Sequence, residues 1–240
     1  MRLDEWLVYH DLISSRSKAN RFIRNNGVYV NTTQCTKPAY IVKKTDKIEI
    51  DENKIMEYSK PLGYQKLAFL VNQANIPFFP SDRVLDLGAS AGGFCRYILE
   101  RKIDTLYAVE ISHQFDLFLR EIKVEYSNFN YTIGDVFRLL PTLTESKFNL
   151  VTIDLTVDPI FLLDHIIELI YLARSNKFPA RILCMLKIEN TNEEDIILNE
   201  FKAVIEKRIS DRNKLIFMDS LPRKKEKAIY LEFWTHIKES

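Results

Sequence analysis

The sequence predicts an α/β fold in which a doubly wound sheet of seven strands follows a small α+β module. Three observations predict it. Residues 83–94 (R-V-L-D-L-G-A-S-A-G-G-F) read as a short buried strand, a glycine loop and the start of a helix. Around this stretch, short apolar runs alternate with amphipathic segments, as parallel strands joined by helical crossovers require. Residues 1–58 follow a different pattern and carry a one-sided charge, so they form a module of their own.

Composition sets the bounds. A 240-residue chain that is 46% hydrophobic and 28% charged can build one large domain and one small one. The net charge of +1 implies no partner, but the distribution of charge does. Cys35, Cys95 and Cys184 lie far apart with no C-x-x-C pair. That argues against a disulfide framework or zinc site and suits a reducing cytoplasm. His10, His113, His165 and His236 are scattered and read as structural or surface residues, so no metal is expected. The opening M-R-L-D-E-W-L is not a signal peptide, and no apolar run approaches a membrane span. A cytoplasmic protein off the membrane is expected.

Within 1–58, Leu3, Trp6, Leu7 and Leu12 recur at helical spacing. Ser14 or Ser15 can cap a second helix whose buried face is Ala19, Phe22 and Ile23. Asn25-Asn26-Gly27 ends it, because Asn and Gly tolerate the left-handed conformation. Val28, Val30, Ile41, Val42, Ile48 and Ile50 mark short strands. Residues 14–44 hold seven basic side chains (Arg16, Lys18, Arg21, Arg24, Lys37, Lys43, Lys44) and no acidic one. A merely solvated face would mix signs, whereas a one-signed face suits a phosphate backbone. The segments R-L-D-x-x-L, S-R-S-K-A-N-R-F-I-R-N-N-G-V-Y-V-N, K-P-A-Y-I-V and D-K-I-E-I resemble the S4 RNA-binding domain across nearly all of residues 1–50. The resemblance implies RNA contacts at Arg16, Ser17, Lys18, Arg21, Arg24 and Lys37, with Asn31 a further candidate.

Residues 51–62 are polar with a proline and read as a linker, and the boundary between the domains is set at 59–65. There Tyr58-Ser59 and Gly63-Tyr64-Gln65-Lys66-Leu67 loosely resemble the Y-V-S-R-G-G-x-K-L junction of TlyA-type proteins. The second domain, 66–240, opens with a helix from Lys66 to near Pro77. Strands are predicted over 84–87, 105–110, 130–133, 148–155 and 181–187, and helices over 94–101, 115–124, 160–173 and 193–209. Runs over 215–218 and 228–234, joined by a short link, close the sheet as an antiparallel pair.

Ligands of open α/β sheets bind at the carboxyl ends of the strands. Gly88, Gly92 and Gly93 let the backbone approach a ligand there, at the start of a helix. The G-x-x-x-G-G spacing is not the G-x-G-x-x-G of dinucleotide folds. D-L-G-A-S-A-G-G-F resembles motif I of S-adenosylmethionine-dependent methyltransferases, in particular the FtsJ/TlyA group of RNA ribose 2′-O-methyltransferases. The resemblance implies their Rossmann-like seven-stranded sheet, with S-adenosyl-L-methionine held by Gly88, Ala89, Ser90, Gly92, Gly93, Phe94, Glu110, Ile111, Asp135 and Val136. Glu110 could accept both ribose hydroxyls of the cofactor or partner Ser112 at a helix start. Asp135 either holds the adenine amino group, as the resemblance implies, or caps the next helix. Asp86 is expected to support the loop.

Asp154 and Lys187 each end an apolar strand, and Lys66 opens the first helix of the domain. Charges in such places are unfavourable unless paired. Together the three resemble the lysine–aspartate–lysine part of the K-D-K-E tetrad of FtsJ-type enzymes. Glu226 is nearest the place of the tetrad glutamate, and Glu232 is the other candidate. Lys187 is expected to be the base, its pKa lowered by burial and by Lys66, with Asp154 orienting it. The segments I-E-N-T-N after Lys187 and D-L-T-V-D-P at Asp154 depart from their TlyA-type counterparts, so the target nucleotide stays open.

The function implied is ribose 2′-O-methylation of RNA, ribosomal RNA or a ribosomal subunit first, with the small domain docking structured RNA. The alternative is a non-catalytic RNA-binding protein with a vestigial methyltransferase fold. A protein or small-molecule methyltransferase is disfavoured by the basic helix, and a nicotinamide dehydrogenase by the glycine spacing. Oligomeric state stays open.

Overall fold

The computed structural model describes residues 1–10, 12–13, 15–51, 61–174, 179–188, 192–209, 213–219 and 226–234. Ser14, most of the expected linker (52–60) and residues 189–191 after Lys187 lie outside the described residues. The chain divides into two compact units, Met1–Gln65 and Lys66–Ser240.

In the first unit, helices α1 (Leu3–Tyr9) and α2 (Arg16–Arg24) accompany an antiparallel sheet. Its strands are β1 (Val28–Val30), β2 (Thr33–Gln34) and β3 (Ile48–Ile50), in the order β2-β1-β3. Leu3, Leu7, Ala19, Phe22, Ile23 and Val28 are wholly buried in its core. Ser15 caps α2, its hydroxyl accepting from the Lys18 N–H at 3.3 Å. The helix ends as expected, but only Asn26 takes the left-handed conformation, with φ 61°. Gly27 serves close packing instead: a Cβ there would lie 2.3 Å from the Phe22 ring. Ile41 and Val42 do not form a sheet strand. Their segment is tied to the chain start, where Val42 N donates to Met1 O and Leu3 N to Tyr40 O.

Helix α3 (Leu62–Ala74) runs across the boundary between the units and begins four residues before the predicted start. Residues 62–65, expected as linker, are its first turn, led by Pro61, whose fixed φ suits a helix start. There follow β4 (Arg83–Leu87), α4 (Gly93–Leu99), β5 (Thr105–Glu110), α5 (Asp116–Glu125), β6 (Phe129–Ile133) and α6 (Val136–Leu143). Then come β7 (Leu150–Ile153), α7 (Pro159–Tyr171), β8 (Ala180–Leu186), α8 (Glu194–Arg208), β9 (Asn213–Asp219) and β10 (Lys227–Phe233). Helix α6 was not among the predicted segments.

The seven strands run in the order β6-β5-β4-β7-β8-β10-β9. The first five are parallel, and β10 pairs antiparallel with both β8 and β9, as the sequence predicts. Strand order reverses between β4 and β7, which makes their carboxyl ends the switch point where such sheets bind ligands. Along β8 and β10 the register sets Lys227 opposite Leu186 and Glu232 opposite Arg181. Among the described residues no helix is long and apolar enough to cross a membrane.

Candidate active site

The glycine loop leaves β4 at Gly88, in the left-handed region at φ 88°. A Cβ there would meet the Asp154 carbonyl oxygen at 2.6 Å, so only glycine lets the loop lie against the end of β7. Glu110, buried at the end of β5, braces the loop. Its Oε2 accepts from Ser90 N at 2.7 Å and its Oε1 from Ser112 N at 2.8 Å. Beneath the loop, wholly buried Asp86 accepts from the Thr152 hydroxyl at 2.6 Å and the Cys95 thiol at 3.1 Å. Burial pushes the Asp86 carboxyl up to about 6. The same burial raises the Cys95 thiol.

A cavity of about 500 Å³ opens at the switch point. Of the residues that the resemblance offers as cofactor contacts, Gly88, Ser90, Glu110, Ile111, Asp135 and Val136 line it. Ala89, Gly92, Gly93 and Phe94 do not. Ala89 and Phe94 are buried, and the glycines begin α4. Gly92 takes the left-handed conformation, with φ 76°, which favours glycine. Phe94 faces Lys66, whose Nζ stands 5.5 Å from the ring centre. Asp135 caps α6, accepting from Phe137 N at 2.9 Å. Sequence reasoning missed Phe115, Phe137, Val157 and Phe161 on the wall. The usable signal was Asp158-Pro159, a cap and first-turn proline that locate the start of α7 at the cavity mouth.

Beside this cavity four charged side chains close a ring. Lys66 Nζ donates to Asp154 Oδ2 and lies 3.5 Å from Glu226 Oε2. Lys187 Nζ lies 2.5 Å from Asp154 Oδ1 and 3.1 Å from Glu226 Oε1. Lys66 is the most buried member, with 7% of its side chain exposed against 17% for each carboxylate and 22% for Lys187. Glu226 is therefore the fourth member. Glu232 lies at the other end of the sheet, where it accepts from the Tyr230 hydroxyl at 2.8 Å. One expectation is reversed: the Lys187 pKa is raised, not lowered. Burial opposes its charge, but Asp154 and Glu226 more than offset that, because both carboxylates stand between the two lysines.

In the first unit, acids of α1 fold back onto the basic stretch. Wholly buried Asp4 accepts from Arg2 Nε at 2.9 Å, Asn20 Nδ2 at 3.0 Å and Arg16 Nη2 at 3.3 Å. The hydrogen bond from Arg2 leads in holding its carboxyl down at about 2. Arg16 also pairs with Glu5 at 3.2 Å, so it is tied to its own domain rather than presented alone. Ser17, Arg24 and Lys37 are exposed, and Lys18 and Arg21 half-buried. Asn31 is a turn former: its side chain donates to Asp46 and accepts from Lys47 N.

The family models agree with this division. An S4 domain matches residues 1–48, and an FtsJ-like methyltransferase matches residues 63–205, more than half of the chain. The chain belongs to the FtsJ-like methyltransferases. The chain is 34% identical over 113 residues to Hemolysin A of Brachyspira hyodysenteriae, covering 47% of the chain and 45% of that protein. It is 29% identical over 150 residues to YqxC, a candidate rRNA methyltransferase of Bacillus subtilis (strain 168), covering 58% and 51%. The matches thus span about half the length of these curated relatives. A candidate hemolysin from Streptococcus thermophilus has a similar structure, with TM-score 0.56 and 18% identity over 98% of this chain and 89% of that one. Aeropyrum pernix fibrillarin, solved with natively bound S-adenosyl-L-methionine, gives TM-score 0.55 and 16% identity over 70% and 75%. Likeness at this identity establishes the fold. Within the second unit, Asp154 joins the two halves of the site, since it lines the cavity and belongs to the ring.

Proposed function

We infer that the protein is an S-adenosyl-L-methionine-dependent RNA ribose 2′-O-methyltransferase, acting on ribosomal RNA or a ribosomal subunit, with the S4 domain docking structured RNA. The observation that carries this is the ring of Lys66, Asp154, Lys187 and Glu226 beside the glycine-loop cavity. The residues fit the cofactor. Gly88 and Ser90 bring the loop to the cavity wall, and Glu110 keeps lone pairs beyond the two that brace the loop. When bound, the cofactor supplies an electrophilic methyl group.

The ring's task is to aim a ribose hydroxyl and handle its proton. Lys66 holds the two carboxylates apart, and these hold Lys187 at the open side. In this state Lys187 is a cation whose raised pKa keeps it protonated at neutral pH. It must shed that proton before it can take the one on the hydroxyl oxygen, so the transfer rate rises with pH across the neutral range.

The test is transfer of a labelled methyl group to ribosomal RNA and intact subunits, with Lys187→Ala as control. Transfer that is lost in the variant and leaves an alkali-resistant linkage supports ribose 2′-O chemistry. Methyl groups on bases or on protein exclude it. Cofactor binding without transfer to any RNA moves the acceptor elsewhere, and no cofactor binding leaves a non-catalytic RNA-binding protein.

A further inference from the structure

Glu226 stands one residue outside β10. The first residue of that strand, Lys227, lies opposite Leu186 of β8 and opposite Asp219 of β9. One step further out, the same register sets Glu226 opposite Lys187, past the end of the ladder, where strand ends fray. The two side chains nevertheless meet at 3.1 Å. Successive side chains of an extended chain leave on opposite faces, so Lys227 turns away from the ring. Its Nζ stands 2.7 Å from Asp219 Oδ1 at the end of β9 and 2.8 Å from Glu194 Oε1 at the start of α8. One ammonium thus ties β9, β10 and α8 together at the position next to Glu226.

We propose that Lys227 is a positioning residue: its pairs with Asp219 and Glu194 fix the start of β10 and so hold Glu226 in the ring, a role that rests on the methyltransferase reading above. Pairs of this kind contribute little to stability, since 65% of the Asp219 side chain is exposed. Their effect is on register, because a slip of one residue would turn Glu226 to the other face of the sheet. Glu226 is one of two carboxylates in contact with Lys187, Asp154 being the other. Lys66 lies across both of them, Asp158 and Glu193 share a cavity wall with Lys187, and the buried Cys184 thiol lies within its field. Withdrawing Glu226 leaves Asp154 alone against the Lys187 charge. Lys187 then gives up its proton at lower pH, and the ring aims a hydroxyl less well.

The experiment takes two readouts on the full chain. One is the pH dependence of Lys187 acetylation by trace acetic anhydride, followed by mass spectrometry, which needs no methyl transfer. The other is the pH dependence of methyl transfer to RNA. Lys227→Met should move the Lys187 midpoint to lower pH and lower the high-pH transfer rate about tenfold. Glu194→Gln with Asp219→Asn should do the same, and carries the test should Lys227→Met not fold. Lys227→Arg keeps both pairs and should match the wild type. In a Glu226→Gln background, Lys227→Met should leave the midpoint where Glu226→Gln alone puts it, because glutamine carries no charge to misplace. A general loosening of the fold would move the midpoint in both backgrounds alike. An unmoved midpoint in Lys227→Met, or an equal further shift in the Glu226→Gln background, overturns the positioning role. If the wild type transfers methyl to RNA while the midpoint stays, the role falls and the enzyme stands. If the midpoint moves as expected and no RNA is methylated, the brace on Glu226 stands and the methyltransferase reading falls.

Discussion

The sheet carries an ion-pair cluster at each end of β8, and the two differ in what they leave open. At the amino end, Arg181 Nη2 stands 2.5 Å from Asp82 Oδ1, and Nη1 donates to Pro77 O at 2.5 Å. The guanidinium lies 4.9 Å from the Phe79 ring centre, and the two charged side chains are 1% and 0% exposed. At the carboxyl end, the ring of Lys66, Asp154, Lys187 and Glu226 keeps part of each carboxylate and of Lys187 in contact with solvent. Both clusters join cations to carboxylates within one buried sheet. The closed one uses arginine, which does not give up its proton, and ties the segment before β4 to the sheet. The open one uses lysines, which can. Burial alone therefore does not mark chemistry; an exchangeable proton with access to it does.

The largest expected effect is on the open ring. Lys187→Ala should lower methyl transfer by on the order of 10³, about 4 kcal/mol in the barrier, while denaturant titration shows little change in stability. Glu226→Gln should lower initial rates too, and Glu232→Gln at the closed end should not; equal losses would erase the distinction between the ends. Arg181→Met should do the reverse. It strands the buried Asp82 carboxylate and should destabilise the unit by about 3 kcal/mol, with specific activity of the folded fraction retained.

Two further carboxylates sharpen the contrast by pH. Asp86 is wholly buried, and its folded pKa of about 6 is raised by that burial. The stability it contributes is present below about pH 4 and is lost as pH rises through 6, by about 3 kcal/mol, a slope that Asp86→Asn should flatten. Asp4 is held down at about 2. Its contribution is present above about pH 4 and is lost as pH falls through 2. Fluorescence of Trp6, which packs against the core of the first unit, reads that acid transition. The smallest effect expected is on RNA affinity. Arg21→Glu with Arg24→Glu should weaken RNA binding about tenfold in low salt and leave cofactor affinity unchanged. Arg16→Ala should do less, because Asp4 and Glu5 already hold Arg16.

Local pattern carried much of this into the sequence. The strands were legible because apolar runs of four to seven residues sit between turn signals. Asp154 and Lys187 were legible because a charge at the end of an apolar run needs a reason, and Lys66 because with them it resembles the tetrad of FtsJ-type enzymes. What was not legible depends on partners distant in the chain. The direction of the Lys187 pKa turns on two carboxylates that come together only in three dimensions. The basic stretch looked free of acids because Asp4 and Glu5 lie outside it in sequence and against Arg16 in space. Helix α6 escaped notice because it is short and contains Pro141. The cavity walls escaped because aromatic residues on separate helices announce no common destination.

Arg181 and Lys187 stand six positions apart, as do Glu226 and Glu232. An even count keeps each pair on one side of a pleated strand, roughly 20 Å from end to end. Deleting one residue inside β8 would flip either the arginine or the lysine through the sheet, whichever end stayed anchored. The strand thus behaves like a fixed-length gauge. Its composition can drift, but its residue count can change only in twos, with β10 adjusted to match.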